Sequence, residues 1–566
     1  MKKCPQCGRE YDVSMSFCLD DGAELLYGPA APVSIGDEPA TAILSGVDLP
    51  SESPTRAQIN ATDQAGIPPS AITDKPKRGL DKRLLAIPFL LAIIGLVGFL
   101  GYRYFLSGGR QINSIAVLPF QNKSGDANSE YLSDGLAESL IYRLSQLPNL
   151  KVSPTSSVIR YKGKDTEVSK IASELGVDAV MTGRLAQIGD NLTISVELVD
   201  VRNNKLLWGE QYERKMSELL ATQREITGEI ITKLKLKLSG PVEQKLAKKY
   251  TDNNEAYQLY LKGNFYRTKY TEEGYRKGIE FYEKAIAIDP NYALAHYGIA
   301  AAYDFASGDY LSENEGIPRA KAACLKALEL DDTLGEAHFQ LGRIAFWYEW
   351  DWPAAEKHWR RANELDPAYP AKYPIYLIAM GRDDEAIREQ NIMLKREPLD
   401  LLASIDLAGI LLAAGQIDKS IEQSRKALEI DPNFWWSYQL LGLAYEAKKQ
   451  HPEAIAAMEK SRQLDVNPSS LGYLGYVYAA AGRTEDARRV LEELRELSKR
   501  HYVTPYFFAS IHSALNEKDE AFEWLERAYR DRSYRMATLS VKNWGVDNLR
   551  SDPRFKAMLK RLNLPE

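Results

Sequence analysis

The chain has 566 residues, too many for one hydrophobic core and in keeping with roughly three or four domains. Its 72 basic and 78 acidic side chains leave a net charge of −6, which excludes a global basic footprint for nucleic acid. Four cysteines are too few for a disulfide scaffold, and three of them fall within the first 18 residues, where they read as metal ligands. The fourth, Cys324, sits in a helical pattern and reads as a small core residue.

The chain opens MKKCPQCGREYDVSMSFCLDDG. Cys4 and Cys7 are two residues apart with a glycine after them, a knuckle that can fold back on a metal. Zinc wants four soft or borderline ligands in a tetrahedron, and the second pair begins with Cys18 but offers Asp21 where a fourth cysteine is expected. The segment, residues 1–25, resembles a short bacterial zinc ribbon. Three readings stay open: a site of three thiolates with the Asp21 carboxylate, a degenerate ribbon without metal, or a fourth ligand supplied by a partner. Residues 26–83 are rich in Pro, Ala, Ser, Thr and Gly without an apolar period, the composition of a disordered tether.

Leu84 to Tyr102 reads LLAIPFLLAIIGLVGFLGY without a charge, long enough for a single membrane-crossing helix. It lies too far along the chain for the layout of a cleavable signal peptide. Lys75, Lys77, Arg78, Lys82 and Arg83 precede it, against Arg103 and Arg110 after it. By the positive-inside rule the N-terminus is cytoplasmic and the C-terminal bulk extracytoplasmic, which in a Gram-negative cell means an inner-membrane protein with a periplasmic bulk.

Residues 113–240 read as an α/β domain with a mixed sheet. Ser114–Phe120 is an apolar strand run, Glu130–Leu147 has helical periodicity, and residues 177–212 form three strands around turns at Gly189-Asp190-Asn191 and Arg202-Asn203-Asn204. Asp126, Glu130 and Asp134 gather at a helix start, where acidic groups complement the dipole. The phrases IAVLPFQNKSGD, EYLSDGLAESLI, YKGKD, ELGVDAVMTGRL and LWGEQYER, in that order, resemble the TolB N-terminal-like or FlgO-type domain. That resemblance implies an assembly or sensing module set before tetratricopeptide repeats in membrane-anchored bacterial signalling proteins, and carries no catalytic residues over.

From residue 253 to 540 the pattern repeats. Asp289-Pro290, Asp366-Pro367, Glu397-Pro398 and Asp431-Pro432 each close a helical run, and Asp331 and Asp465 hold the same place without proline. Leu341-Gly342, Leu441-Gly442 and Leu474-Gly475 recur upstream, with Ala355, Ala386, Ala454 and Ala487 in the second helices. Small residues let paired helices approach, larger ones such as Tyr282, Trp359 and Met458 fill the gap, and the prolines end each unit. This matches the tetratricopeptide repeat, a helix pair recurring about every 34 residues, in about eight units here. Residues 541–566 read as a capping helix. One hairpin cannot bury its own apolar face, so an all-α superhelix is expected.

Such superhelices hold extended protein segments in a concave groove lined by the first helix of each pair. Candidate groove residues are Asn264, Tyr266, His296, Arg343, Trp347, Tyr438 and Tyr473, while Trp347, Trp350 and Trp352 form a cluster suited either to a partner or to the seam between repeats. No phosphate-cradling loop, triad or carboxylate pair points to an enzyme. The expectation is therefore a membrane-anchored, non-catalytic scaffold or sensor that binds protein or peptide through its repeats, without nucleic acid. The alternative is a transmembrane transcription regulator whose cytoplasmic end contacts DNA or the transcription machinery. For the N-terminal segment we expect a single bound zinc by elemental analysis of the isolated peptide, and a folded, metal-free peptide is the contrary outcome.

Overall fold

The computed structural model describes residues 2–3, 10–11, 112–126, 129–147, 149–164, 166–236, 240, 248–308, 310–367 and 369–566. The expectations for Cys4, Cys7, Cys18 and Asp21, for the tether and for the span at 84–102 lie outside these residues. At the N-terminus β1 (Lys2–Lys3) pairs antiparallel with β2 (Glu10–Tyr11). Among the described residues no helix is long and apolar enough to cross a membrane.

The α/β domain contains β3 (Ser114–Val117), β4 (Gln121–Asn122), α1 (Glu130–Ser145), β5 (Lys151–Val152) and α2 (Val168–Leu175). There follow β6 (Ala179–Ile188), β7 (Asn191–Asp200), β8 (Lys205–Lys215) and α3 (Leu219–Lys233). The sheet order is β5-β3-β6-β7-β8, with β4 alongside β6. β3 runs parallel to both β5 and β6, which requires crossovers, and α1 and α2 lie in the two connections. β6, β7 and β8 form an antiparallel meander, in which Leu192, Ile194, Val196 and Leu198 of β7 alternate inward onto the core. The sheet is mixed, as its hydrophobic patterning implies.

The acidic group at the start of α1 has a partner that its own segment does not reveal. Lys162 reaches Glu130 at 2.5 Å and Asp134 at 2.6 Å, so the two carboxylates share a cation. Among the described residues no three His, Cys, Asp or Glu side chains gather as a metal site.

Eight helical hairpins follow. The first four pair α4 (Asn254–Arg267) with α5 (Glu272–Ile288), α6 (Ala293–Ala306) with α7 (Glu313–Leu330), α8 (Gly335–Ile344) with α9 (Trp352–Leu365), and α10 (Pro374–Ala379) with α11 (Asp383–Arg396). The next four pair α12 (Leu401–Ala413) with α13 (Ile417–Ile430), α14 (Trp435–Ala447) with α15 (His451–Leu464), α16 (Pro468–Ala480) with α17 (Thr484–Leu497), and α18 (Pro505–Ala514) with α19 (Lys518–Arg530).

At three of the hairpin ends the recurring acidic residue acts through an Asx turn. Asp289, Asp331 and Asp431 accept from the backbone N–H two residues on, at 3.1, 3.1 and 2.9 Å, and so reverse the chain into the next unit. Cys324 is fully buried, and burial pushes its thiol well above the usual range.

The α/β domain is welded to the first hairpin. Asn254 donates to the Met216 carbonyl at 2.7 Å and accepts from the Leu220 N–H at 3.1 Å, and Tyr257 donates to Ser139 of α1 at 2.9 Å. Tyr257 and Leu261 of α4 belong to the core of the α/β domain.

Beyond α19 the chain does not run straight to a cap. Residues 531–549 return across the superhelix in short 3-10 turns before α20 (Pro553–Arg561). The Tyr534 N–H donates to Glu313 of hairpin two at 3.1 Å, Ser540 to the Ala379 carbonyl of hairpin four at 2.6 Å, and Asn543 to the Leu412 carbonyl of hairpin five at 3.0 Å. Met536, Ala537, Leu539 and Leu549 on this return are completely buried.

Within the hairpins, glycine permits the approach of large side chains. A Cβ on Gly298 would lie 2.6 Å from the Tyr282 ring and one on Gly442 would lie 2.7 Å from Met458, while Gly342 meets the Trp359 indole more closely still. We expect Gly342→Val to lower stability by about 1–3 kcal/mol through overpacking. Gly228→Ala in α3, where a Cβ meets nothing within 4 Å, is expected to be neutral or slightly stabilising. Denaturant unfolding of both variants checks this.

Candidate protein-binding cavity

The first helices of the hairpins face inward and, with α1 and the segment around Ile159, enclose a cavity of about 1190 Å³. Its wall is unusually apolar where it meets solvent. Nine large hydrophobic side chains are exposed among the described residues, and five of them, Ile159, Tyr270, Phe305, Leu402 and Val466, line this one cavity. Exposed apolar side chains scattered singly are ordinary, but their concentration around one concavity marks a surface kept free for another molecule.

Charged groups punctuate the wall. Arg343 of α8 bonds Asp304 of α6 at 3.2 Å and reaches the Tyr373 hydroxyl at 3.4 Å, linking hairpins two, three and four. Asp406 stands in the middle of the otherwise apolar α12, in the field of Arg343 but without an ion pair among the described residues. Arg535 enters from the C-terminal return and lies over Tyr534, Tyr473 and Trp544, 4.9, 5.4 and 5.7 Å from their ring centroids. No carboxylate forms an ion pair with it among the described residues, so aromatic faces hold this cation.

The residues singled out in the sequence separate into three groups. Arg343, Trp347 and Tyr473 line the cavity, but Tyr473 is only 1% exposed, and Trp347 packs against Tyr534 of the return at 5.9 Å. Asn264 is buried and accepts from the Tyr282 hydroxyl at 2.6 Å, which places it beside a smaller neighbouring pocket. Tyr266, His296 and Tyr438 do not line the cavity. Tyr266 stacks on Phe281 at 5.4 Å. His296 and Tyr438 occupy equivalent repeat positions, and each bonds the carbonyl of the proline six residues earlier, Pro290 at 3.1 Å and Pro432 at 3.2 Å. They brace inter-hairpin loops.

Two of the clustered tryptophans, Trp350 and Trp352, are held by the C-terminal segment, while Trp347 lines the cavity. Trp352 donates to the Asn563 carbonyl at 3.1 Å, and Trp350, in a left-handed conformation at φ 58°, lies 4.3 Å beneath the Arg532 guanidinium. Sequence reasoning missed Phe305, Leu402 and Asp406. For Asp406 a signal existed, since a lone carboxylate interrupts the run LLASIDLAGILLA.

Comparison with known proteins agrees with this architecture. A family model described as the HilA/YgeH-like transcriptional regulator, second domain, matches residues 110–229, and two tetratricopeptide repeat models match residues 403–434 and 425–456. The chain is 29% identical over 236 residues to putative adenylate cyclase 3 of Rhizobium meliloti (strain 1021), covering 41% of this chain and 40% of that protein. It is 24% identical over 260 residues to the TPR repeat-containing protein YpiA of Bacillus subtilis (strain 168), covering 43% and 57%. The chain thus spans less than two thirds of these relatives. Among solved structures, YrrB, described as a TPR protein with an unusual peptide-binding site, is 20% identical and matches 32% of this chain and 92% of its own, with a TM-score of 0.22. The chain carries tetratricopeptide repeats behind a mixed-sheet α/β domain.

Asp406 gives the cavity a pH signature. Burial, reinforced by Asp400 and opposed by Arg343, pushes its carboxyl up to about 7. A folded-state pKa raised above the unfolded value means that the native state binds the proton more tightly. Stability is therefore fully present below the ordinary carboxylate range and declines as pH rises towards about 7. Burial raises Glu397 to about 7 as well, so the dependence has two contributors. We expect Asp406→Asn to raise the unfolding midpoint more at about pH 8 than at about pH 5. Equal shifts at both pH values are the contrary outcome.

Proposed function

We propose that the chain is a membrane-anchored, non-catalytic scaffold whose superhelix holds an extended segment of a partner protein outside the cytoplasm. The observation that carries this is the gathering of Ile159, Tyr270, Phe305, Leu402 and Val466 around one cavity walled by the repeats. An apolar, aromatic-rich concavity with a few fixed charges suits a peptide whose hydrophobic side chains are spaced along an extended backbone. The uncharged run from Leu84 to Tyr102 supports an anchor, with the basic cluster before it on the cytoplasmic side. In this reading the α/β domain is a TolB N-terminal-like or FlgO-type sensing or assembly module, and Cys4, Cys7, Cys18 and Asp21 hold a zinc inside the cell.

A second reading is favoured by the match of residues 110–229 to a domain of a transcriptional regulator. In it the residues before Leu84 contact DNA or the transcription machinery, and salt-dependent DNA binding by that segment distinguishes it.

The test is affinity capture from membranes with the intact chain, beside a variant carrying Phe305→Glu and Leu402→Glu. We expect the intact chain to enrich a protein that the variant loses by at least about tenfold, since each charge faces an apolar contact worth more than 1.4 kcal/mol. Equal capture by both removes the cavity from the argument.

A further inference from the structure

A second pocket, of about 210 Å³, lies where α1 meets the first hairpins. That is room for roughly seven waters, or for one molecule of short-diamine or amino-acid size. Seven tyrosines line it. Four have partners in the protein: Tyr142 donates to Glu336 at 2.8 Å, Tyr250 stands 3.3 Å from the Tyr142 hydroxyl, Tyr257 donates to Ser139, and Tyr260 is hydrogen-bonded to Asn264. The hydroxyls of the other three, Tyr292, Tyr297 and Tyr369, meet no hydrogen-bond partner among the described residues. Three open phenols facing one small pocket offer donors and acceptors to a guest.

The charges choose among ligands. Glu336, at the start of α8, is 9% exposed and pairs with no Lys or Arg among the described residues. Burial pushes its carboxyl up, and Asp366 and Asp331 push it further. The pocket's cations are already engaged. Arg143 donates to the Lys248 carbonyl at 2.8 Å and lies 5.0 Å over the Tyr250 ring. Arg267 donates to the Tyr282 hydroxyl at 3.2 Å and is offset by Glu138 nearby. Arg267 acts on Glu138, whereas the charges that act on Glu336 are the like charges of Asp366 and Asp331. An anion would face Glu336, and a neutral polyol would leave it unpaired. A cation with N–H donors would meet both its charge and the open phenol oxygens, and tyrosine faces attract cations in addition.

We propose that this pocket binds a small organic cation bearing an ammonium group, with Glu336 as its counter-charge and Tyr260, Tyr297 and Tyr369 as its aromatic and hydrogen-bonding wall. Because α1 supplies one side and hairpins one to three the other, such a ligand ties the α/β domain to the superhelix. The proposal does not rest on partner binding in the large cavity, where Glu336 takes no part.

The test is the unfolding midpoint of the full chain in detergent, titrated separately with 1,4-diaminobutane, choline and glucose, with sodium chloride as the ionic-strength control. We expect at least one of the two ammonium probes to raise the midpoint saturably by roughly 2–4 °C. Glu336→Gln, which keeps an acceptor for Tyr142, is expected to abolish the shift. Tyr369→Phe, which keeps the ring stacked on Phe339 at 5.0 Å, is expected to weaken it. Should Glu336→Gln fail to fold, Tyr297→Phe together with Tyr369→Phe serves as the second variant pair, judged by loss of the same shift. No shift with either ammonium probe, a shift with glucose alone, or a shift undiminished in the variants overturns the proposal.

Discussion

A Cβ on Gly263 or Gly298 would run into the ring of Tyr282, one on Gly342 into Trp359, and one on Gly442 into Met458. In each case a large side chain on the second helix of a hairpin fills the hollow left by a glycine on a first helix, and the backbones close until the two are in contact. Tyr282 does this twice, since Gly263 lies in its own hairpin and Gly298 in the next. The stack inherits its spacing from these pairs. A hairpin too wide would leave a void, and a side chain in place of the glycine would force the pair apart. Curvature of the superhelix, and with it the hollow inside, follows from the small rotation that each such contact imposes on the next unit.

Much of this was legible before any coordinates, for a physical reason. Close helix pairing demands small residues at fixed offsets, and the Asx turns at Asp289, Asp331 and Asp431 demand an aspartate at the hairpin end, so signals such as Leu441-Gly442 and Asp431-Pro432 recur with the unit length. The meander β6-β7-β8 was legible because turn residues separate alternating strands. The groove was read less well. Periodicity gives the face on which a side chain sits but not the distance to the next loop, and so His296 and Tyr438, on first helices, turn out to bind proline carbonyls. Lys162 could not be matched to Glu130 and Asp134, because the chain between them carries no local pattern that fixes the pairing.

The C-terminal return was invisible for a related reason. Residues 531–549 have no helical or strand period; they are held by hydrogen bonds to carbonyls whose availability only the folded superhelix decides. Their apolar members, Met536, Leu539 and Leu549, read as an irregular tail yet are as deeply buried as any in the protein. The same segment sets what the cavity can offer. It covers Tyr473, brings Arg535 in among aromatic rings, and leaves the open apolar wall to hairpins one, two, five and six and to the α/β domain.

A solenoid whose units touch only their neighbours behaves like a spring: it lengthens and relaxes by small changes summed along its axis, and its ends fray before its middle. The return from α19 is a chord drawn across that spring. By bonding hairpins two, four and five from the far side of the eighth, it makes distant units share one fate, so that opening the coil anywhere means detaching the chord as well. The mouth of the cavity then has a set gauge, and a guest must suit that gauge, because the coil is not free to stretch around it.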